Sequence, residues 1–417
     1  MKSKQTYPVA LILVTCLFFL WGFAHNLDPI LIPHLKKSFT LTTTQSTLID
    51  SSVFIAYFIM ALPAGYIMKR FGYKIGIISG LLLFAVGCFL FLPAADYQSY
   101  NYFLIALFII ACGLTILETA ANPYAAALGD PATSTQRLNL AQSFNGLAAA
   151  LAPVIGAKII FTKGFTEVEL SSMTDSARKI ALASEASSVK APYATLGIIL
   201  VVVAILFAII HLPKMKHAAQ EAASKHIFHA FRHKHLAWSV AAQFFYVGAQ
   251  VSVLSLFILY ATYSAQIPEL EAAYYLGICG IAFLIGRFSG TFFMKFIEPP
   301  KLLALYAGIN VLLCTVAIAA SGMITVYAVI GIAFFMSIMF PTIFSLGIKD
   351  LDGDTAYGSS LIIMSIVGGA VLPRCFGLIA DYTGNVKLGY FVPLICFIVV
   401  FLFGWKGYKV ETKEING

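Results

Sequence analysis

The chain has 417 residues, 60% of them hydrophobic and 11% charged, with a mean hydropathy of +0.87. So much apolar surface cannot be enclosed around one aqueous core, which excludes a soluble domain of this size and makes the chain an integral membrane protein. The formal net charge of +8 is spread over several short segments, so it gives no support to nucleic-acid binding.

Crossing the hydrocarbon layer takes about 20 mostly apolar residues per helix, because each backbone polar group must be satisfied inside its own segment. On that measure twelve spans are predicted, at residues 8–33, 46–68, 74–94, 101–127, 137–161, 191–212, 236–263, 270–297, 300–319, 323–347, 355–380 and 386–407. These runs are long and apolar on all sides, whereas a membrane β-barrel would show alternating segments of about 10 residues. The expected fold class is therefore all-α, with twelve transmembrane helices. The first run, "VALILVTCLFFLWGF", is too long for a signal peptide and lacks a small-residue cleavage site, so it reads as a retained span.

Basic residues set the orientation. Lys2, Lys4, Lys69, Arg70, Lys74, Lys214, Lys216, Lys349 and Lys406 fall on one side if the spans alternate, and far fewer, chiefly Lys36 and Lys37, fall on the other. Both termini are accordingly assigned to the cytoplasm.

The longest cytoplasmic connection, "PKMKHAAQEAASKHIFHAFRHKH", divides the chain into a first half at 1–212, a linker at 213–235 and a second half at 236–417. Its histidines invite a metal or pH-sensor reading, but a cationic segment lying along anionic lipid headgroups needs no ligand. "GYIMKRFGYK" after the second span is echoed by "GTFFMKFIEPPK" after the eighth. Six plus six helices with a basic linker is the pattern of a transporter built from two parallel repeats, with substrate near the midplane. The seven cysteines all fall inside spans without metal-ligand spacing and read as packing residues. No cofactor or metal is called for.

Glu118, in "CGLTILETAANPYAAALG", is a full charge within an apolar stretch. A charge at a helix centre costs about 2.5–3.5 kcal/mol on insertion scales, and such residues face a cavity or a partner. Burial disfavours the ionised form of a carboxyl group, so a buried acid with alternating access can take a proton on one side and lose it on the other. Glu118 is the first candidate for proton coupling, weighed against a buried ion pair that only locks helices. Asp28, Asp50, Arg287 and Arg374 are the other intramembrane charges, and the two arginines are candidates for ion pairs.

The polar neighbours point to a polyhydroxylated substrate. Asn122 stands at i+4 from Glu118; Asn139 and Gln142 are spaced i, i+3; Gln243, Tyr246 and Gln250 form a stripe at i, i+3, i+7. Carboxamides both donate and accept, so they can bridge sugar hydroxyls, while aromatic faces cover the apolar side of a ring. Helix–helix hydrogen bonding would account for any one of these residues alone.

"FFLWGFAHNLDPIL", "LETAANPY", "RLNLAQSFN", "AQFFYVGAQ", "GRFSGT", "PTIFSLGIKDL" and "YGSSLIIMSIVGG" together resemble, in order and over almost the whole chain, the bacterial L-fucose:proton symporter family of the major facilitator superfamily. The resemblance implies a twelve-helix alternating-access fold in the bacterial inner membrane, working as a monomer and importing a hexose or deoxyhexose with a proton. It maps a functional acid onto Glu118 and a sugar cavity onto Asn26, Asn139, Gln142, Tyr246 and Gln250. There are departures. Family members carry "NNLND" in the first span, with the last Asp functional, where this chain reads "HNLDP". Asp28 thus stands one position early, a rotation of about 100° around a helix. Asp28 or Asp50 is expected either to replace that acid or to pair with Arg374. Lys69 stands where the superfamily's loop after the second span has an acid.

Sodium-coupled or uncoupled carriage would use the same cavity, an exporter of amphipathic compounds would have a mostly apolar one, and a non-transporting sensor would need an output domain. An enzyme would need a nucleophile or metal constellation, and ATP drive a Gly-x-x-x-x-Gly-Lys-Ser/Thr loop; neither is read in the sequence.

Overall fold

The computed structural model describes residues 7–26, 43–160, 172–174, 176–178, 181, 187, 189–213 and 227–410; of 43–51, 153, 154, 156–160 and 228 it describes the helical backbone alone. Helices are the only regular elements among the described residues, joined by turns and short loops. The first half contains α1 (Pro8–His25), α2 (Thr43–Phe71), α3 (Tyr73–Asp96), α4 (Tyr100–Ala127), α5 (Ser134–Ile160) and α6 (Lys190–Ile209). In the second half, the seventh span is α7 (Lys234–Ser255) and α8 (Phe257–Ala265), followed by α9 (Glu269–Phe293) and α10 (Pro299–Ala319). The tenth span is α11 (Met323–Met336) and α12 (Met339–Gly347), the eleventh α13 (Thr355–Met364) and α14 (Gly368–Thr383), and the last is centred on α15 (Phe391–Leu402).

Eleven described segments are long and apolar enough to cross a membrane. α5 lies outside that count. Its first turns, "STQRLNLAQSFN", are polar because they face the interior of the protein rather than lipid. The lipid side is the converse: Ile198, Val202, Ile205 and Ile209 of α6 recur at helical spacing and are exposed.

Within each half the helices approach closely through small residues. Every residue of α4 from Ile110 to Ala126 is buried. A Cβ added at Gly113 would lie 2.5 Å from the backbone nitrogen of Phe84 on α3, so a side chain there would push the two helices apart. Likewise a Cβ at Gly368 would meet Phe244 O of α7 at 2.1 Å, where the eleventh span bends.

Helix ends are capped by basic side chains, as orphan carbonyls require. Lys74 Nζ donates to Ala208 O and Ile210 O at the end of α6, at 2.9 and 3.0 Å. Arg137 donates to Ala126 O and Asp130 O around the end of α4. The last part of the linker is not free along the membrane surface: Arg232 Nη2 lies 3.1 Å and His233 Nε2 3.5 Å from Oδ2 of the buried Asp354, and His235 Nε2 is 2.8 Å from Lys349 O. Residues 232–235 are thereby held to the connection between α12 and α13.

Among the described residues the two halves pack on each other most extensively toward one end. α2 and α4 pack on α13, and α5 packs on α9 and α12, at the end that carries the connections 128–133 and 348–354. At this linker end Lys69 Nζ sits 4.3 Å from the Tyr357 ring centroid, and Ser360 Oγ donates to Ala61 O.

Gly113→Val is expected to overpack the α3–α4 contact and destabilise the protein by about 1–3 kcal/mol. A lowered thermal midpoint of the purified protein in detergent checks this; an unchanged midpoint would contradict the packing account.

Candidate functional site

Between the helices of the two halves lies a cavity of about 790 Å³, within the roughly 300–1,000 Å³ typical of small-molecule sites. Its lining runs from Glu118, Gln142 and Arg287 near the middle of the bundle to Asn26, Ser255 and Arg374 toward the end away from the linker. Among the described residues the lining extends toward that end, and the contacts between the halves close the linker end. Trp21, Phe54, Tyr57 and Phe340 supply aromatic surface, and Gln142, Asn145, Gln250 and Asn26 supply carboxamides.

Glu118 is the acid among the described lining residues, and only 7% of it is exposed. Tyr57 on α2 donates from Oη to Glu118 Oε1 at 2.6 Å. Thr115 and Thr119 on α4 return their hydroxyls to carbonyls one turn back, and Pro123 withholds the N–H that would bond Thr119 O, which loosens the helix just past Glu118. Asn122 Nδ2 donates to Glu118 O at 2.9 Å, and Gln142 Nε2 on α5 donates to Asn122 Oδ1 at 2.9 Å. The acid's own helix is thus tied by carboxamides to the cavity wall, an arrangement that can transmit a change at Gln142 to the segment holding Glu118.

Arg287 on α9 closes the floor. It is 5% exposed, lies over the Phe283 ring at 4.6 Å, and donates from Nε to Ser337 O at 2.9 Å and from Nη1 to Gln142 O at 2.8 Å. Ser337 is the break between α11 and α12, and Pro341, four residues on, has no N–H to bond its carbonyl, so the guanidinium satisfies an acceptor the helix leaves free. The same side chain bridges to α5 of the other half. Below it, Asn139 Nδ2 donates to Thr342 Oγ1 at 3.1 Å, Thr135 and Ser345 hydroxyls are 2.9 Å apart, and Gln136 Nε2 donates to Thr291 O at 3.3 Å. These bonds join α5 to α9 and α12 across the closed end.

Residues 11–371 match the family model described as Major Facilitator Superfamily. The chain belongs to the major facilitator superfamily. It is 41% identical over 410 residues to the glucose/galactose transporter of Brucella abortus biovar 1 (strain 9-941), covering 98% of this chain and 96% of that one. Against the L-fucose-proton symporter of Escherichia coli (strain K12) the identity is 41% over 411 residues, covering 96% and 93%. The crystal structure of the E. coli fucose:proton symporter FucP superposes with a TM-score of 0.91 at 38% identity, covering 98% of this chain and all of that one. The superfamily's twelve-helix fold is thus the fold of this chain, and it is a multi-pass membrane transporter.

Among the residues singled out in the sequence, Glu118, Asn26, Gln142, Gln250, Arg287 and Arg374 line the cavity. Asn122 stands behind the wall, bonded to Gln142. Asn139, Gln243 and Tyr246 are fully buried and lie outside the lining in this state. Arg287 has carbonyl oxygens as its partners where an ion pair was expected. Asp28 and the side chain of Asp50 lie outside the described residues, as does any pairing of either with Arg374. Among the described residues no cluster of potential metal ligands occurs.

Asn145 and Tyr57 line the cavity without having been singled out. Asn145 was within reach of the pattern, since it follows Gln142 at i+3. Tyr57 carries no such signal, being one aromatic in an apolar run; only the packing of α2 on α4 brings it to Glu118.

Asn145→Ala is expected to weaken sugar binding about five- to tenfold, the loss of a carboxamide's hydrogen bonding at about 1 kcal/mol net, while the thermal midpoint stays within a degree or two. Equilibrium binding of labelled L-fucose and D-galactose to detergent-solubilised protein checks this, and an unchanged affinity for every sugar bound would remove Asn145 from the site.

Proposed function

We propose that the protein is a proton-coupled symporter that imports L-fucose or a related hexose by alternating access, with Glu118 as the proton carrier. The observation that carries this reading is the buried Glu118 in the wall of a cavity lined by carboxamides and aromatic rings. Its tie to the carboxamide chain Asn122–Gln142 supports a link between proton and sugar. The relatives named for glucose, galactose and L-fucose support a monosaccharide substrate.

The moving units are the halves 1–212 and 236–417, joined by the linker 213–235. Among the described residues the bonds between them at the closed end are few and run from α5 to α9 and α12 and from α2 to α13. The protein works as a monomer in the bacterial inner membrane with both termini in the cytoplasm, so the open cavity faces outward. Sugar binds there while Glu118 is protonated; the halves rock, the outer mouth closes and the linker end opens; sugar and then the proton leave to the cytoplasm. One charge moving down the membrane potential contributes about 2.3 kcal/mol per 100 mV, enough for more than tenfold accumulation.

Wild-type protein in proteoliposomes should accumulate labelled L-fucose, D-galactose or D-glucose when an inward proton gradient is imposed, and an inward sodium gradient should not replace it. Glu118→Gln should abolish accumulation while retaining sugar exchange. Accumulation undiminished in the variant would move the coupling role away from Glu118, and accumulation driven by sodium alone would replace the coupling ion.

A further inference from the structure

The closed end of the pathway is polar. On α7, Ser239, Gln243, Val247 and Gln250 fall at i, i+4, i+8 and i+11 and so share one face. Val247 and Gln250 line the cavity, and Ser239 Oγ donates to Ile343 O of α12 at 3.1 Å. Gln243 lies between them, one helical turn, about 6 Å, beyond Val247 toward the linker end. Above it, Phe340 lines the cavity and meets the Tyr246 ring at a centroid distance of 6.5 Å, so these two rings shut the cavity floor over this stretch of α7.

Gln243 is fully buried, and neither its carboxamide nitrogen nor its oxygen has a hydrogen-bonding partner among the described protein groups. A carboxamide kept only for helix packing would have partners, since buried polar side chains almost always do. An apolar side chain of similar size would fill the same place without the desolvation cost. What distinguishes the position is its place on the cavity-facing stripe of α7 and the helix that covers it. α12 is a separate segment of nine residues beyond the break at Ser337, packed on α7 and on α5. When the linker end opens, α5 parts from α12 with the first half, and the stripe below Phe340 becomes the wall of an inward-open path.

We propose that Gln243 is a ligand for sugar hydroxyls in the inward-facing state, an inner station hidden while the cavity faces outward. The inference rests on the reading of this chain as an alternating-access sugar carrier. The sugar passes from the upper carboxamides Gln142, Asn145 and Gln250 to a lower one, and the buried, unpartnered carboxamide disfavours the outward-facing closure relative to the state in which it is used.

The test compares the two faces of the membrane. Right-side-out and inside-out vesicles containing wild type, Gln243→Leu or Gln243→Asn are assayed for exchange of labelled L-fucose and D-galactose. Gln243→Leu should weaken apparent affinity about tenfold at the inner face and less than about twofold at the outer face, and Gln243→Asn, which keeps the carboxamide, should recover part of the loss. Equal weakening at both faces, or none at either, overturns the inference. Absence of exchange in wild type overturns the carrier reading itself. A readout that needs no sugar identity is alkylation of Gln243→Cys by an impermeant maleimide above the wild-type background. Labelling from the cytoplasmic side alone is expected, and labelling from neither side, or from the outside alone, contradicts the proposal.

Discussion

A hydrocarbon layer supplies no hydrogen bonds, so a polar side chain inside it is costly unless the protein partners it or it faces a water-filled cavity. That constraint organises this molecule. Glu118 answers it with both a partner, the Tyr57 hydroxyl at 2.6 Å, and a place in the cavity wall. Arg287 answers it with two backbone carbonyls, one of which is a free acceptor because Pro341 has no N–H to bond Ser337 O. The carboxamides of α5 divide between the two solutions: Gln142 and Asn145 at the cavity, Asn139 in the seam below.

The seam is shallow in energetic terms. Its polar cross-half contacts are neutral hydrogen bonds worth about 0.5–1.5 kcal/mol net each, one cation–π contact, and the charge-assisted bond from Arg287 to Gln142 O at about 1.5–3 kcal/mol. A buried carboxylate–arginine lock would be far harder to release, and none joins the halves among the described residues. Contacts of this kind can be broken and remade in a transport cycle. Inside each half glycines bring α3 against α4 and α7 against the eleventh span at backbone distance, and Gly65 lets α2 approach α13 across the seam, where no side chain need be displaced for the halves to part.

Much of this was legible in the chain. The twelve apolar runs match the observed helices within a few residues wherever they are described, because hydropathy and span length are local properties. Glu118 stood out for the same reason. The breaks in the seventh and eleventh spans did not, and that in the tenth was signalled only by Pro341 in "FFMSIMFPT", whose missing N–H frees the Ser337 carbonyl that the Arg287 side chain, brought from α9, then bonds. The α7 stripe was visible as a polar pattern, yet Gln250 lines the cavity while Gln243 and Tyr246 sit under its floor. A periodicity shows which face a residue occupies, but depth relative to Phe340 is set by a different helix.

The account's central claim is that Glu118 carries the proton that moves with the sugar. The most direct measurement is the pH inside sealed proteoliposomes holding a trapped pH indicator, with no gradient imposed, when a transported sugar is added outside. The account predicts internal acidification with wild type and none with Glu118→Gln, although the variant still exchanges labelled sugar. Equal acidification by the variant would contradict it.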